Sequence, residues 1–125
     1  MNKYIYILIL IFLTLSTIPI YSQSAVYFCE TTGRFGYSYG NNIEEVKKAA
    51  YNSCLKNGGV NPELVVFTEE KGYGAIALGT DANGIRLIGA AVGFSSSTSA
   101  MNAAIEACKK HGGRNIKVEA KWYDK

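Results

Sequence analysis

Ala50-Tyr51-Asn52-Ser53-Cys54-Leu55-Lys56-Asn57-Gly58-Gly59 and Ala104-Ile105-Glu106-Ala107-Cys108-Lys109-Lys110-His111-Gly112-Gly113 are the two stretches whose reading decides the fold. Set side by side, Ala, Cys and Gly-Gly fall in register. An internal repeat of this kind means one supersecondary unit used twice. In the first copy, Ile43, Val46, Ala50 and Cys54 recur at helical spacing and form one apolar stripe. In the second, Met101, Ala104, Ile105 and Cys108 do the same. Asn42, with Glu45 three residues on, supplies a start signal for the first helix, and the run Ser95 to Ser99 supplies one for the second. Gly-Gly stops both, because glycine takes the left-handed C-terminal conformation without steric cost.

Strands flank each helix. Ala25 to Glu30 and Phe35 to Tyr39 read as a hairpin across Thr31-Thr32-Gly33-Arg34, and Leu64 to Phe67 as a closing strand whose composition suits a buried position. Tyr73 to Gly79, the turn Asp81-Ala82-Asn83-Gly84, Ile85 to Phe94 and Ile116 to Tyr123 repeat the plan. The expected fold is α+β, a two-layer sandwich. Two ββαβ repeats, about 25–70 and 73–125, form a largely antiparallel sheet with two helices packed on one face. Gly and Ala in the second strand of each hairpin imply close approach of helix to sheet.

Upstream of this domain the chain reads as a secretion signal over residues 1–22, which leaves 23–125 as a single domain. Lys3 gives a positive n-region, Ile5 to Leu15 an apolar run broken only by Thr14, and Pro19 a helix break. Ser22 and Ser24 offer processing before Gln23 or before Ala25. Cys29 follows Val26-Tyr27-Phe28, which is unsuited to lipid attachment. The expected location is exported, periplasmic or extracellular, with no membrane association after cleavage.

The mature stretch Thr32-Gly33-Arg34-Phe35-Gly36-Tyr37-Ser38-Tyr39-Gly40, a helix ending Cys54-Leu55-Lys56-Asn57-Gly58-Gly59, and Tyr73-Gly74-Ala75-Ile76-Ala77 together resemble a family of small secreted bacterial domains, domain of unknown function 4189. The resemblance implies an exported α+β domain and brings no activity with it. In that family the helix cysteine is often matched by one at the start of the following strand. Here the slots around Asn61 to Glu63 and Arg114 to Asn115 hold none, so any bridge must be longer-range. Cys29, Cys54 and Cys108 allow three single bridges, or stay as small buried thiols.

Composition narrows the chemistry. Thirteen basic and ten acidic residues give a net charge of +3 over 125 residues. The doublets Lys47-Lys48 and Lys109-Lys110 sit at matched places on the helices, as solvated faces do, so no nucleic-acid partner is expected. Cys108 and His111 make Cys-x-x-His, half a zinc ligand set or a thiol–imidazole pair, but a His in a last helical turn also serves the helix end. Glu44-Glu45 belong to a helix start and Glu69-Glu70 to a loop, not to the flanking pair of a glycosidase. The glycines of 33–40 lack phosphate-cradle spacing. No catalytic residue, cofactor or metal site is expected.

The aromatic residues are the candidate binding surface. Phe35, Tyr37 and Tyr39 alternate and so share one sheet face, and Tyr73 and Trp122 can join them from other strands. If the helices cover that face, the rings are core; if it is the open face, they form a platform. Small Gly36, Ser38 and Gly40 on the opposite side, which suit a closely seated helix, favour the open side. The expected function is a non-enzymatic binding module acting by contact with another secreted or periplasmic protein, inhibitor- or immunity-like. The alternatives are an envelope carbohydrate or peptidoglycan binder, and a thiol- or metal-dependent enzyme using Cys108 and His111.

Overall fold

The structure, a computed structural model, describes residues 22–124; the expected secretion signal, save Ser22, lies outside the described residues. The chain forms β1 (Gln23–Cys29), β2 (Arg34–Gly40), α1 (Ile43–Lys56), β3 (Glu63–Thr68), β4 (Gly72–Thr80), β5 (Arg86–Phe94), α2 (Ser97–Lys110) and β6 (Arg114–Asp124). This is the expected α+β fold of two ββαβ units. Its strands divide into two antiparallel three-stranded sheets, ordered β2-β1-β3 and β5-β4-β6.

Local chemistry sets the helices. The Asn42 side chain accepts from the N–H groups of Glu44 and Glu45, and Ser96 accepts from Ser99 N–H. Each helix ends in the same double bond pattern. Gly59 N–H reaches Cys54 O (2.8 Å) and Gly58 N–H reaches Leu55 O (3.0 Å), while Gly113 reaches Cys108 O (2.9 Å) and Gly112 reaches Lys109 O (2.9 Å). Gly58 and Gly112 sit at φ +100° and +92°, where a Cβ would be strained. Val46, Ala50 and Cys54 are the buried stripe of α1, and Ala100, Ala104 and Cys108 that of α2.

These small stripes decide how the layers stack. A Cβ on Gly36 would collide with the backbone of Ala50 and Cys54, and one on Gly89 with that of Ala104 and Cys108. Each helix thus rests directly on its own sheet, over β1 and β2 or over β4 and β5. The larger apolar residues point the other way. Val26 and Phe28 of β1 meet Ile76 and Leu78 of β4, Ile88 of β5 and Trp122 of β6 in one cluster, with Phe35, Tyr37 and Val66 packed against it. The helices therefore do not share one face of a single sheet. The two sheets cover each other, and a helix covers each outer face.

β3 departs from its expected burial. Leu64, Val65 and Phe67 are 38–45% exposed. β3 lies beyond β1, at the edge of its sheet, while α1 lies over β1 and β2.

Gly36→Ala and Gly89→Ala should each lower stability by about 2–3 kcal/mol, because backbone rather than a flexible side chain must give way. Urea unfolding would measure this, and the two losses should be similar because the two contacts are equivalent.

Candidate functional site

The aromatic residues do not form one open platform. Trp122 is 8% exposed. Its ring stacks on Tyr37 at 4.4 Å and 17°, and its Nε1–H donates to Ser24 Oγ at 3.2 Å. Phe35 and Tyr37 are half-buried in the same inter-sheet cluster. The helix does sit on the Gly36 side as expected, but the second sheet covers the other. Tyr39 is the exposed member, at the rim of this stack. Tyr73 belongs to the opposite face of its sheet, beside α2, and stacks on Tyr123 at 4.4 Å.

The Cys108–His111 pair is engaged structurally. Cys108 Sγ donates to Leu87 O and His111 Nδ1 lies 3.3 Å from Ile88 O, so both side chains hold the end of α2 against β5. Burial pushes the Cys108 thiol above its ordinary value. Among the described residues no group of three or more His, Cys, Asp or Glu side chains is placed to hold a metal ion. Glu44 and Glu45 occupy the first turn of α1, as expected.

A further concavity lies elsewhere, between the edges of the two sheets. Thr68, at the end of β3, approaches Gly93 near the end of β5. Toward their starts the strands part, leaving a groove of about 450 Å³. Phe28 and Ile88 line it with Leu64, Val65, Ile85 and Leu87. Glu30 and Glu63 bring acidic groups to it, and Arg86 and His111 basic ones. Arg86 also donates to Gly33 O at 3.2 Å, which ties the first hairpin turn to the start of β5. Among the described residues β3 pairs with β1 alone and β5 with β4 alone, so each presents an edge without a ladder partner there. Ile85, 53% exposed, stands at the mouth. The Leu-Val-Val-Phe run was the available signal, since an apolar strand with no covering helix is either core or contact surface.

A smaller cleft of about 270 Å³ lies beside Tyr73, Phe94 and Tyr123. At the end of β6, Asp124 is buried, and desolvation raises its carboxyl above 3.8 against hydrogen bonds from Ser24, Ser22 and the Gln23 backbone. Asp124 Oδ2 and Gln23 Oε1 have no hydrogen-bond partner among the described residues.

Cys29 has the most perturbed thiol chemistry. Hydrogen bonds from the Thr31 hydroxyl, then from Thr32 and the Val60 N–H, draw it down to about 6 from 9.0. Cys54 moves the opposite way, raised by burial and by the neighbouring Cys29 charge. In the reduced protein, thiolate ultraviolet absorbance should therefore show one transition near pH 6. That transition should vanish in Cys29→Ser, leaving the other two thiols to ionise only above 9.0.

No helix among the described residues is long and apolar enough to cross a membrane. Comparison of the chain with protein-family models, with curated proteins and with solved structures finds no match in any of the three.

Proposed function

We propose that this protein is an exported binding module that acts by contact with another protein, taking an extended segment of that partner at the β3 edge. The observation that carries the reading is the groove between β3 and β5. It joins an unpaired strand edge, which offers main-chain hydrogen bonds, to exposed Leu64, Val65 and Ile85, which offer side-chain sites. Strand addition draws affinity from the backbone and selectivity from alternate side-chain positions. A partner segment with apolar residues at alternate positions, flanked by one acidic and one basic group, suits Arg86 and His111 opposite Glu30 and Glu63.

The apolar N-terminal run supports export, and so does the resemblance to a secreted family. The structure bears on where processing would fall. Gln23 and Ser24 pair with Gly40 and Tyr39, and Ser24 also accepts the Trp122 N–H. Processing before Gln23 keeps these bonds, whereas processing before Ala25 would remove them.

Leu64→Arg with Ile85→Arg changes exposed residues only, and should leave thermal unfolding within a few degrees of wild type. Recovery of the partner in pull-downs should fall at least tenfold, while Tyr123→Ala retains it. Equal recovery by the groove variant and wild type would reject the groove as the contact surface.

A second reading is favoured by the exposed rings of Tyr123 and Phe94 around the smaller cleft, a surface on which a sugar ring can stack. Sedimentation with purified cell wall that depends on Tyr123 but not on Leu64 and Ile85 would select it. Sedimentation unchanged in Tyr123→Ala would dismiss it.

A further inference from the structure

The two units are near-copies, and one difference between them is chemical. Cys54 Sγ donates to Arg34 O at 3.5 Å, and Arg34 pairs with Cys29 across β1 and β2. In the second unit Cys108 Sγ donates to Leu87 O at 3.7 Å, and Leu87 pairs with Gly79 across β4 and β5. Cys29 and Gly79 therefore hold equivalent positions, each opposite the helix cysteine of its unit.

Gly79 then serves as a ruler for its counterpart. A Cβ built on Gly79 lies 3.1 Å from Cys108 Sγ. A disulfide places each Cβ about 3 Å from the partner sulfur, as follows from an S–S bond of ~2.04 Å and a Cβ–Cβ span of ~3.8 Å. The equivalent Cβ in the first unit belongs to a cysteine. Both sulfurs there border the same short stretch after α1. A Cβ on Gly59 would stand 2.7 Å from Cys54 Sγ, and Val60 N–H donates to Cys29 Sγ at 3.2 Å. Cys29 is 1% exposed and Cys54 fully buried, between strand and helix. All three cysteines are free thiols here, and Cys29 Sγ faces Val60, its S–H donating to Val60 O at 2.9 Å, so closing a bond to Cys54 requires the Cys29 side chain to turn from Val60.

We infer that Cys29 and Cys54 form an intramolecular disulfide that fastens β1 to the C-terminal end of α1, and that Cys108 remains a thiol. The oxidant is a disulfide of an exchange partner, such as an oxidised dithiol protein or oxidised glutathione. Once local opening between β1 and the end of α1 admits the exchange partner, the Cys29 thiolate attacks one sulfur of that disulfide and expels a thiolate. Cys54 then loses its proton and attacks Cys29 Sγ, forming the internal bond and expelling the second thiolate. The two protons end on the two released thiols, so the pair is oxidised by two electrons and the exchange disulfide is reduced by two. The low pKa of Cys29 makes it the first attacker.

This inference stands apart from the binding role, since neither cysteine lines the β3–β5 groove. The test is oxidation of the purified protein with glutathione disulfide, acid quench, unfolding and alkylation, read by intact mass and peptide mapping. One alkylated cysteine, Cys108, is expected, rising to three after reduction, with a linked peptide pair holding Cys29 and Cys54. Cys108→Ser should show none before reduction. Three alkylatable thiols, glutathione held on Cys29 without an internal bond, or a bridge that includes Cys108 would each overturn the inference.

Discussion

Everything in this molecule depends on the contact between two sheets. Each helix covers the small-residue face of its own sheet, and the other face of that sheet carries the bulk: Val26, Phe28, Ile76, Leu78, Ile88 and Trp122. Neither face could be left in water without losing the burial that offsets chain entropy. The two halves are therefore each other's core. Trp122 marks the contact most sharply, because its ring lies on Tyr37 and its N–H on Ser24, both from the opposite unit. A buried indole N–H left unpartnered would cost about 1–3 kcal/mol, so the pairing of the units is directional as well as apolar.

The same arrangement explains where the apolar interior opens to the surface. In the first unit β1 and β2 lie between α1 and the second sheet, while β3 lies at the edge with α1 set over its neighbours. Its apolar side chains are the consequence of position within the layers. Where β3 and β5 part, the inter-sheet core opens to the surface, and the groove is continuous with Phe28 and Ile88. Groove and core are thus one apolar system, open at one end.

Much of this was legible in the residues. The Gly-Gly stops, the caps and the 3.6-residue stripes act within a few positions, so both helices and the duplicated plan could be read locally. The close seating of each helix was legible too, from the Gly and Ala residues in the second strand of each hairpin. The division into two sheets was written in Ala75-Ile76-Ala77-Leu78, where small and large residues alternate. One face fits a helix and the other a second sheet, and the period alone does not say which surface will arrive there. Leu64 to Phe67 misled for a related reason, since an apolar strand reads the same at an edge as in a core. The aromatic strand was half right: the rings of Phe35 and Tyr37 do point away from the helix, but onto the other unit. The juxtaposition of Cys29 with Cys54 depends on the antiparallel register of β1 with β2 under α1, which no spacing in the chain displays.

The chain has one tryptophan, Trp122, and it lies on the inter-sheet face. Its fluorescence therefore reports contact between the units, while far-ultraviolet circular dichroism reports the helices of both. If the units are each other's core, the two signals must change together, at one urea midpoint and with one slope. A fluorescence transition at lower urea, with helical signal persisting beyond it, would show units that fold alone and would contradict the account.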